Sequence, residues 1–241
     1  MNTIKLEGRG NVRMIAHRGL SGLEKENTCS AFVAAANREG YFGIETDVHC
    51  TADGHFVIFH DDNTRRVGLD ALTIEESSFE TLRALQLTDM DGKRGRSDLR
   101  IPTLEEYIGI CRKYEKISVL ELKNLFHAAD IYKIAAVIEK MGWLENTIFI
   151  SFQLKNLVIL RRRFPGVAAQ YLLDDFKPAD LDTLRQHNLG LDLRYPALTR
   201  EIVEAVHGIG EEVNCWTVNT PEDGQAMIDL GVDYITTNIL E

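Results

Sequence analysis

From Thr103 onward the sequence keeps one rhythm, and that rhythm limits what the chain can fold into. Short apolar runs alternate with segments whose apolar residues recur at helical spacing. Ser118–Lys123, Thr147–Phe152, Val167–Leu173, Gly190–Tyr195, Val213–Asn219 and Tyr234–Thr237 read as strands. Between them lie helical patterns such as Ile131, Ile134, Ala135, Ile138 and Ile202, Val203, Val206. Thr103 and Thr199 stand as caps, Pro178 opens a helix, Thr220-Pro221 places a cap before a first-turn proline, and Gly231 ends the last helix. Strands separated by whole helices pair in parallel, with the helices as crossovers. The 241 residues are close to the length of a single α/β barrel, about 250.

The first third is less regular. Val12–Ala16 is a short apolar run ending in His17-Arg18-Gly19. Asn27 or Thr28 can cap a helix carrying Ala31, Phe32, Ala35 and Ala36, which Gly40 closes. A strand through Ile44 and Val48 follows, the Asp53-Gly54 dipeptide marks a turn, and Phe56–Phe59 runs into His60-Asp61. This makes nine candidate strands where a closed eight-stranded barrel needs eight, so one is an extension or an outlying ribbon. Residues 61–102 are polar and rich in Gly and Arg, with one helix announced by Ser77-x-x-Glu80. A connection this long inside a compact domain is ordinarily functional, and we expect a cover over one end of the domain. No repeat or linker marks a second domain, so residues 1–241 are expected to form one unit with 61–102 inserted.

The carboxylates point to chemistry. Glu45 and Asp47 lie two apart on one strand and so face the same side, about 7 Å apart. They repel one another unless a cation lies between them. A single histidine at a strand end is ordinarily a surface or hydrogen-bonded residue. Here two of them, His17 and His60, end separate apolar runs on either side of the carboxylate pair. In a barrel, side chains at the carboxyl ends of the strands converge on one mouth. That mouth would gather His17, Arg18, Glu45, Asp47, His60, Glu121, Lys123, Ser151, Trp216 and Asn238. Three acids with Arg18 and Lys123 nearby compensate one another, although Glu121 and Lys123 could be no more than a salt bridge. An all-oxygen donor set suits Mg²⁺ or Ca²⁺ better than Zn²⁺, which prefers His and Cys.

Charge and composition exclude several classes. A net charge of −10 argues against nucleic acid or an anionic membrane as partner through the overall field. No stretch approaches the roughly 20 apolar residues of a membrane span, and the first ten residues lack the apolar core of a signal peptide. A soluble chain with no stable membrane association is expected. The four cysteines are far apart and show no CxxC spacing, which fits a reducing cytoplasm.

With these residues in view the chain resembles the glycerophosphodiester phosphodiesterase family over nearly its whole length. The matching segments are His17-Arg18-Gly19, Glu26-Asn27-Thr28, Glu45-x-Asp47, Thr51-x-Asp53-Gly54 and His60-Asp61. Further on come Ile101-Pro102-Thr103-Leu104-Glu105-Glu106, Glu121-x-Lys123, Ser151-Phe152, Trp216-Thr217-Val218-Asn219 and Gly231-Val232-Asp233. Each is weak alone, and the ordered set is specific. The resemblance implies an eight-stranded parallel (β/α) TIM barrel that cleaves glycerophosphodiesters to glycerol 3-phosphate and an alcohol. It implies a metal on Glu45, Asp47 and Glu121, an acid–base pair at His17 and His60, and phosphate binding at Arg18 and Lys123. Trp216 offers an apolar wall to glycerol or alcohol, or simply packs the mouth.

Some positions depart from the family's pattern. Asn238 stands where Asp is common, Ala52 where Lys is common, and no Pro-Thr-Leu follows His60-Asp61. His49 is an addition on the Glu45 and Asp47 face, either adjusting the metal site or capping the turn. Rival readings are a related phosphodiesterase acting on lysophospholipids or phosphoinositides, or a non-catalytic barrel that captures anions or metal. The first needs an apolar entrance in 61–102, which is polar; the second leaves both histidines and all three acids unexplained. Arg18 beside His17 should lower the pKa of that ring and favour a base, while Asp61 beside His60 should raise that one and favour an acid.

Overall fold

Eight strands close a ring of parallel pairs, and a ninth lies outside it. The computed structural model describes residues 2–67 and 71–241. Its strands are β1 Arg13–Ala16, β2 Tyr41–Cys50, β3 Phe56–Ile58, β4 Ile117–Leu122, β5 Thr147–Ser151, β6 Ala168–Leu173, β7 Gly190–Arg194, β8 Val213–Trp216 and β9 Tyr234–Thr237. The helices are α1 Cys29–Ala36, α2 Phe79–Ala84, α3 Leu104–Lys113, α4 Ala128–Lys140, α5 Leu154–Arg163, α6 Pro178–His187, α7 Arg200–His207 and α8 Pro221–Leu230. The ring runs β1-β2-β4-β5-β6-β7-β8-β9, and β9 pairs back on β1 through Arg13↔Tyr234 to Ala16↔Thr237. The chain is thus a TIM barrel.

The outlying ribbon is β3, antiparallel to the end of β2 through Val48↔Ile58 and Cys50↔Phe56. The turn accounts for it. Gly54 takes φ +83°, and the Thr51 amide donates to the His55 carbonyl at 2.8 Å. A reversal this short cannot supply the dozen or more residues of a parallel crossover.

Most helix starts fall where the sequence places them. The side chains of Thr28, Thr103, Thr199 and Thr220 each accept an amide of the first turn, and Thr103 forms a full capping box with Glu106. Two termini differ. α1 ends at Ala36 with Asn37 as its cap, and Gly40 instead packs so close to Glu241 that a Cβ would lie 2.1 Å from its Cγ. α2 is capped by Ser78, whose hydroxyl accepts from the Thr81 amide, because Ser77 turns back to bond the Thr73 carbonyl.

Apolar side chains fill the barrel and the layer between barrel and helices. Ile15, Val119, Ile148, Ile150, Leu172 and Tyr234 form the inner plug. Segment 61–102 carries a small core of its own, in which Val67, Ile74, Leu82, Leu85, Leu87, Leu99 and Ile101 pack with Val57 and Phe59. Its loop is tied to the barrel from above β1: Arg96 reaches Glu24 at 2.7 Å, and Asp98 accepts from Ser30 at 2.6 Å. Among the described residues no helix is long and apolar enough to cross a membrane.

Candidate active site

The inward positions of the barrel continue past the plug into charged residues, and register decides which of them meet. Asp47 of β2 pairs with Glu121 of β4, two residues after Glu45 pairs with Val119. The side chains of Glu45, Asp47 and Glu121 therefore stack on one wall, with one oxygen of each within 4.8 Å of the others. All three are buried, at 4%, 1% and 5% exposure. At that separation each ionised pair repels by about 3–4 kcal/mol at an effective dielectric near 20.

The consequence is unequal ionisation. Burial and then the Asp47 charge push Glu45 well above the usual carboxylate range, and the same two causes push Glu121 up to about 8. Asp47 goes the other way. Burial raises it, but Lys123 and Arg18 outweigh burial and hold the carboxyl below its ordinary value. Lys123 Nζ lies 3.1 Å from Glu121 Oε1 and 3.5 Å from Asp47 Oδ1, off the hydrogen-bonding direction of both oxygens. Asp47 Oδ1 and Glu121 Oε1 are thus buried without a hydrogen bond among the described residues. Three clustered carboxylates, two of them with an oxygen that makes no hydrogen bond, are a donor set that could hold a divalent metal ion.

The loop after β1 supplies the facing cation. Arg18 and Gly19 both take positive φ, 54° and 75°. A Cβ on Gly19 would lie 2.7 Å from the backbone of Ala31, so only glycine fits there. The turn aims the Arg18 amide at Glu45 Oε2, 2.8 Å away, and the guanidinium at Asp47 and Glu26, at 3.7 and 3.0 Å. Left-handed backbone at a non-glycine residue costs on the order of 1–2 kcal/mol and is typical of functional sites.

Both histidines face the same cleft. The ring of His17 is held through Nδ1, 2.7 Å from Asn238 Oδ1, which also lies 2.9 Å from the Ser21 hydroxyl. With that acceptor at Nδ1, the neutral ring keeps its proton there and presents a lone pair at Nε2. Burial and then Arg18 lower His17 to about 4, as the sequence predicts in direction. His60 Nδ1 lies 2.6 Å from Asp61 Oδ1. Its pKa is nevertheless lowered, which corrects the expectation from sequence: burial, with Arg18 and Lys123, outweighs the pull of Asp47 and Asp61.

The cleft is lined by His17, Arg18, Glu45, His60, Glu121 and Lys123, with Trp216 on its far side and Asp47 behind Arg18 and Lys123. Of the ten residues expected at the mouth, these eight meet in one place; Asn238 reaches it through His17, and Ser151 turns away to donate to the Leu122 carbonyl at 2.7 Å. Trp216 stands edge-on to Phe152, ring centroids 5.7 Å apart. His49 neither joins the acids nor caps the turn. It is fully buried, with Nδ1 3.1 Å from Glu75 and Nε2 3.4 Å from the His60 carbonyl, and so braces the residue it neighbours.

Several partners have roles that the sequence did not assign. Asn27 donates to Asp47 Oδ2 at 2.8 Å and accepts from Thr46 at 2.6 Å, fixing the Asp47 carboxylate. Arg66 donates to both oxygens of Glu26 at 2.7 Å and to Asp61 at 2.7 and 3.2 Å. One guanidinium thus joins the carboxylate that orients Arg18 to the carboxylate that orients His60. Glu26 is lowered to about 2, burial being outweighed by Arg66 and then Arg18. The signal for Glu26 and Asn27 was their place directly before the α1 cap; Arg66 gave none.

Residues 17–241 match the model of the glycerophosphoryl diester phosphodiesterase family. The chain belongs to this family. It is similar to the glycerophosphodiester phosphodiesterase of Caldanaerobacter subterraneus, 29% identical over 93% of each chain. Among solved structures it resembles an Oleispira antarctica phosphodiesterase in complex with the product sn-glycerol-3-phosphate, with TM-score 0.85 and 26% identity over 94% of this chain and 92% of that one. It also resembles the Thermotoga maritima glycerophosphodiester phosphodiesterase, with TM-score 0.74 and 27% identity over 94% of each. This family member is accordingly an enzyme, a phosphoric diester hydrolase.

Proposed function

We propose that the protein cleaves glycerophosphodiesters to glycerol 3-phosphate and an alcohol, with a divalent metal ion on Glu45, Asp47 and Glu121. The observation that carries this reading is the meeting of that acid cluster with two imidazoles and two cations in one cleft. Oxygen-only ligands favour Mg²⁺ or Ca²⁺. The ion would neutralise charge on the non-bridging phosphate oxygens.

The remaining chemistry falls to side chains of this chain. Arg18 Nε has no hydrogen-bond partner among the described residues, which leaves a donor for the phosphate. Lys123 stays charged, since Asp47 and Glu121 outweigh the burial that opposes it. His17 Nε2 takes the proton of the attacking hydroxyl, the ring being held by Asn238 and kept neutral by burial and by Arg18. His60 gives a proton to the leaving alkoxide, and Asp61 at Nδ1, with Asp47 nearby, favours the protonated ring against the burial that lowers its pKa. Trp216 walls the apolar side. The four free thiols and the lack of a membrane-crossing helix among the described residues support the cytoplasm as the place of action.

A panel of glycerophosphodiesters with different headgroups tests the reading. Release of glycerol 3-phosphate from at least one is expected. Release of free glycerol and a phosphorylated headgroup would contradict it.

A further inference from the structure

Asp192 is a carboxylic acid in an apolar strand, Gly190-Leu191-Asp192-Leu193, that no part of the scheme above uses. It lines the cleft at 2% exposure, and its Oδ1 finds no hydrogen-bond partner among the described residues. Asn214 stands opposite it on β8 but bonds Gln170 and Thr236 instead, at 3.3 and 3.1 Å. A buried polar atom left unpaired is destabilising, so one facing a substrate cleft points to a ligand that supplies the partner. Burial pushes the Asp192 carboxyl up to about 8, so near neutral pH it carries a proton and can both donate and accept.

The surroundings say what that ligand is. One side of the cleft holds the acids, cations and imidazoles; the other holds Ile150, Phe152, Leu172 and Trp216 beside Asp192. Trp216 Nε1 is a second unpaired atom there, a donor. Register places Trp216 opposite Arg194, two residues nearer the mouth than Asp192. Apolar walls carrying a carboxylic acid and an N–H suit a short carbon chain with hydroxyl groups, not a charged headgroup. The inner end is closed by buried side chains, so it takes the half of the substrate that stays constant in size. An alcohol of variable size needs the open mouth.

We propose that Asp192 recognises the hydroxyl groups of the substrate's glycerol and so determines the preference for glycerol-bearing phosphodiesters. The assignment rests on the cleft being the phosphodiesterase site. Calorimetric titration in Mg²⁺ of sn-glycerol 3-phosphate and of n-propyl phosphate, which lacks the hydroxyls, tests it. The native protein should prefer glycerol 3-phosphate by about tenfold or more. Asp192→Leu should erase the preference by weakening glycerol 3-phosphate alone, while Asp192→Asn keeps part of it. Because leucine removes an unpaired buried atom, the melting temperature should hold or rise; if it collapses, Asp192→Asn decides, and must still lose several-fold in preference. A variant that keeps the full preference, or weakens both ligands alike, overturns the assignment. Turnover separates this from the wider reading. A native protein that cleaves glycerophosphodiesters while Asp192→Leu keeps its preference overturns Asp192 alone, and one that cleaves none overturns the function.

Discussion

Raising the pH of the chelated protein should destabilise it, and a divalent cation should cancel the loss. Burial and Asp47 raise Glu45 and Glu121 in the folded state, the latter to about 8, from an ordinary 4.5. Between those values the folded protein keeps protons that the unfolded chain has released, so stability falls as pH rises through the window. Asp47 is shifted downward, and its stabilisation is lost only as pH falls below its ordinary 3.8, outside the window. The shift at Glu121 is worth on the order of a few kcal/mol. For a chain of this size each kcal/mol moves the melting temperature by roughly 2–4 °C. Melting scans in chelator at pH 5 and pH 8.5 should therefore differ by roughly 5–10 °C from this cause alone. Added Mg²⁺ or Ca²⁺ should raise the melting temperature far more at pH 8.5 than at pH 5, because it competes with protons for the same oxygens. Glu121→Gln should reduce the slope of the chelated profile and leave the part that Glu45 and Asp192 contribute over the same window. A cation effect of equal size at both pH values, or none, would refute the idea that these three carboxyls share a metal.

Arg66→Met should lower kcat/KM by about tenfold or more through loss of orientation of Arg18 and His60, yet shift stability by about 1 kcal/mol or less because Arg66 is half exposed. Unchanged kcat/KM would make the Glu26–Arg66–Asp61 bridge a surface contact only. His60→Ala should slow cleavage of glycerophosphoethanolamine by about a hundredfold while largely sparing a nitrophenyl ester of glycerol phosphate, whose leaving group needs no proton; His17→Ala should cripple both. The reverse pattern would exchange the two roles. Arg96→Ala, which removes the ion pair from the 88–98 loop to Glu24 and the loop's internal pair with Asp98, should speed limited proteolysis within the loop at nearly constant melting temperature. An unchanged cleavage rate would show that the loop's own core, not the ion pairs, holds it.

The sequence exposed what depends on spacing and hid what depends on packing. Helical and strand periods after Thr103 made the parallel barrel legible, and Thr103, Thr199 and Pro221 marked helix starts that the structure keeps. The i, i+2 spacing of Glu45 and Asp47 predicted a shared face, and register with β4 brought Glu121 to it. The ninth strand could not be placed from its own residues, because β3 and a barrel strand share one pattern and differ only in the turn before them. The direction of His60 was misjudged because Asp61 is a sequence neighbour, while the burial that outweighs it comes from the tertiary fold. Arg66 hid in a polar stretch where one arginine looks like the next. Asp192 offered the same signal as Glu121, an acid inside an apolar run with a cation, Arg194, two residues on, but it lay outside the segments that match the family.

Turnover of one substrate under metal control tests the assignment of the cleft. Glycerophosphoethanolamine incubated with the protein and followed by ³¹P NMR should give the glycerol 3-phosphate signal with Mg²⁺ or Ca²⁺ present. The signal should stop forming in excess chelator, return on metal re-addition, and fail with Asp47→Asn under every condition. Undiminished hydrolysis in chelator, or by Asp47→Asn, would contradict the assignment of this cleft as a metal-dependent phosphodiesterase site.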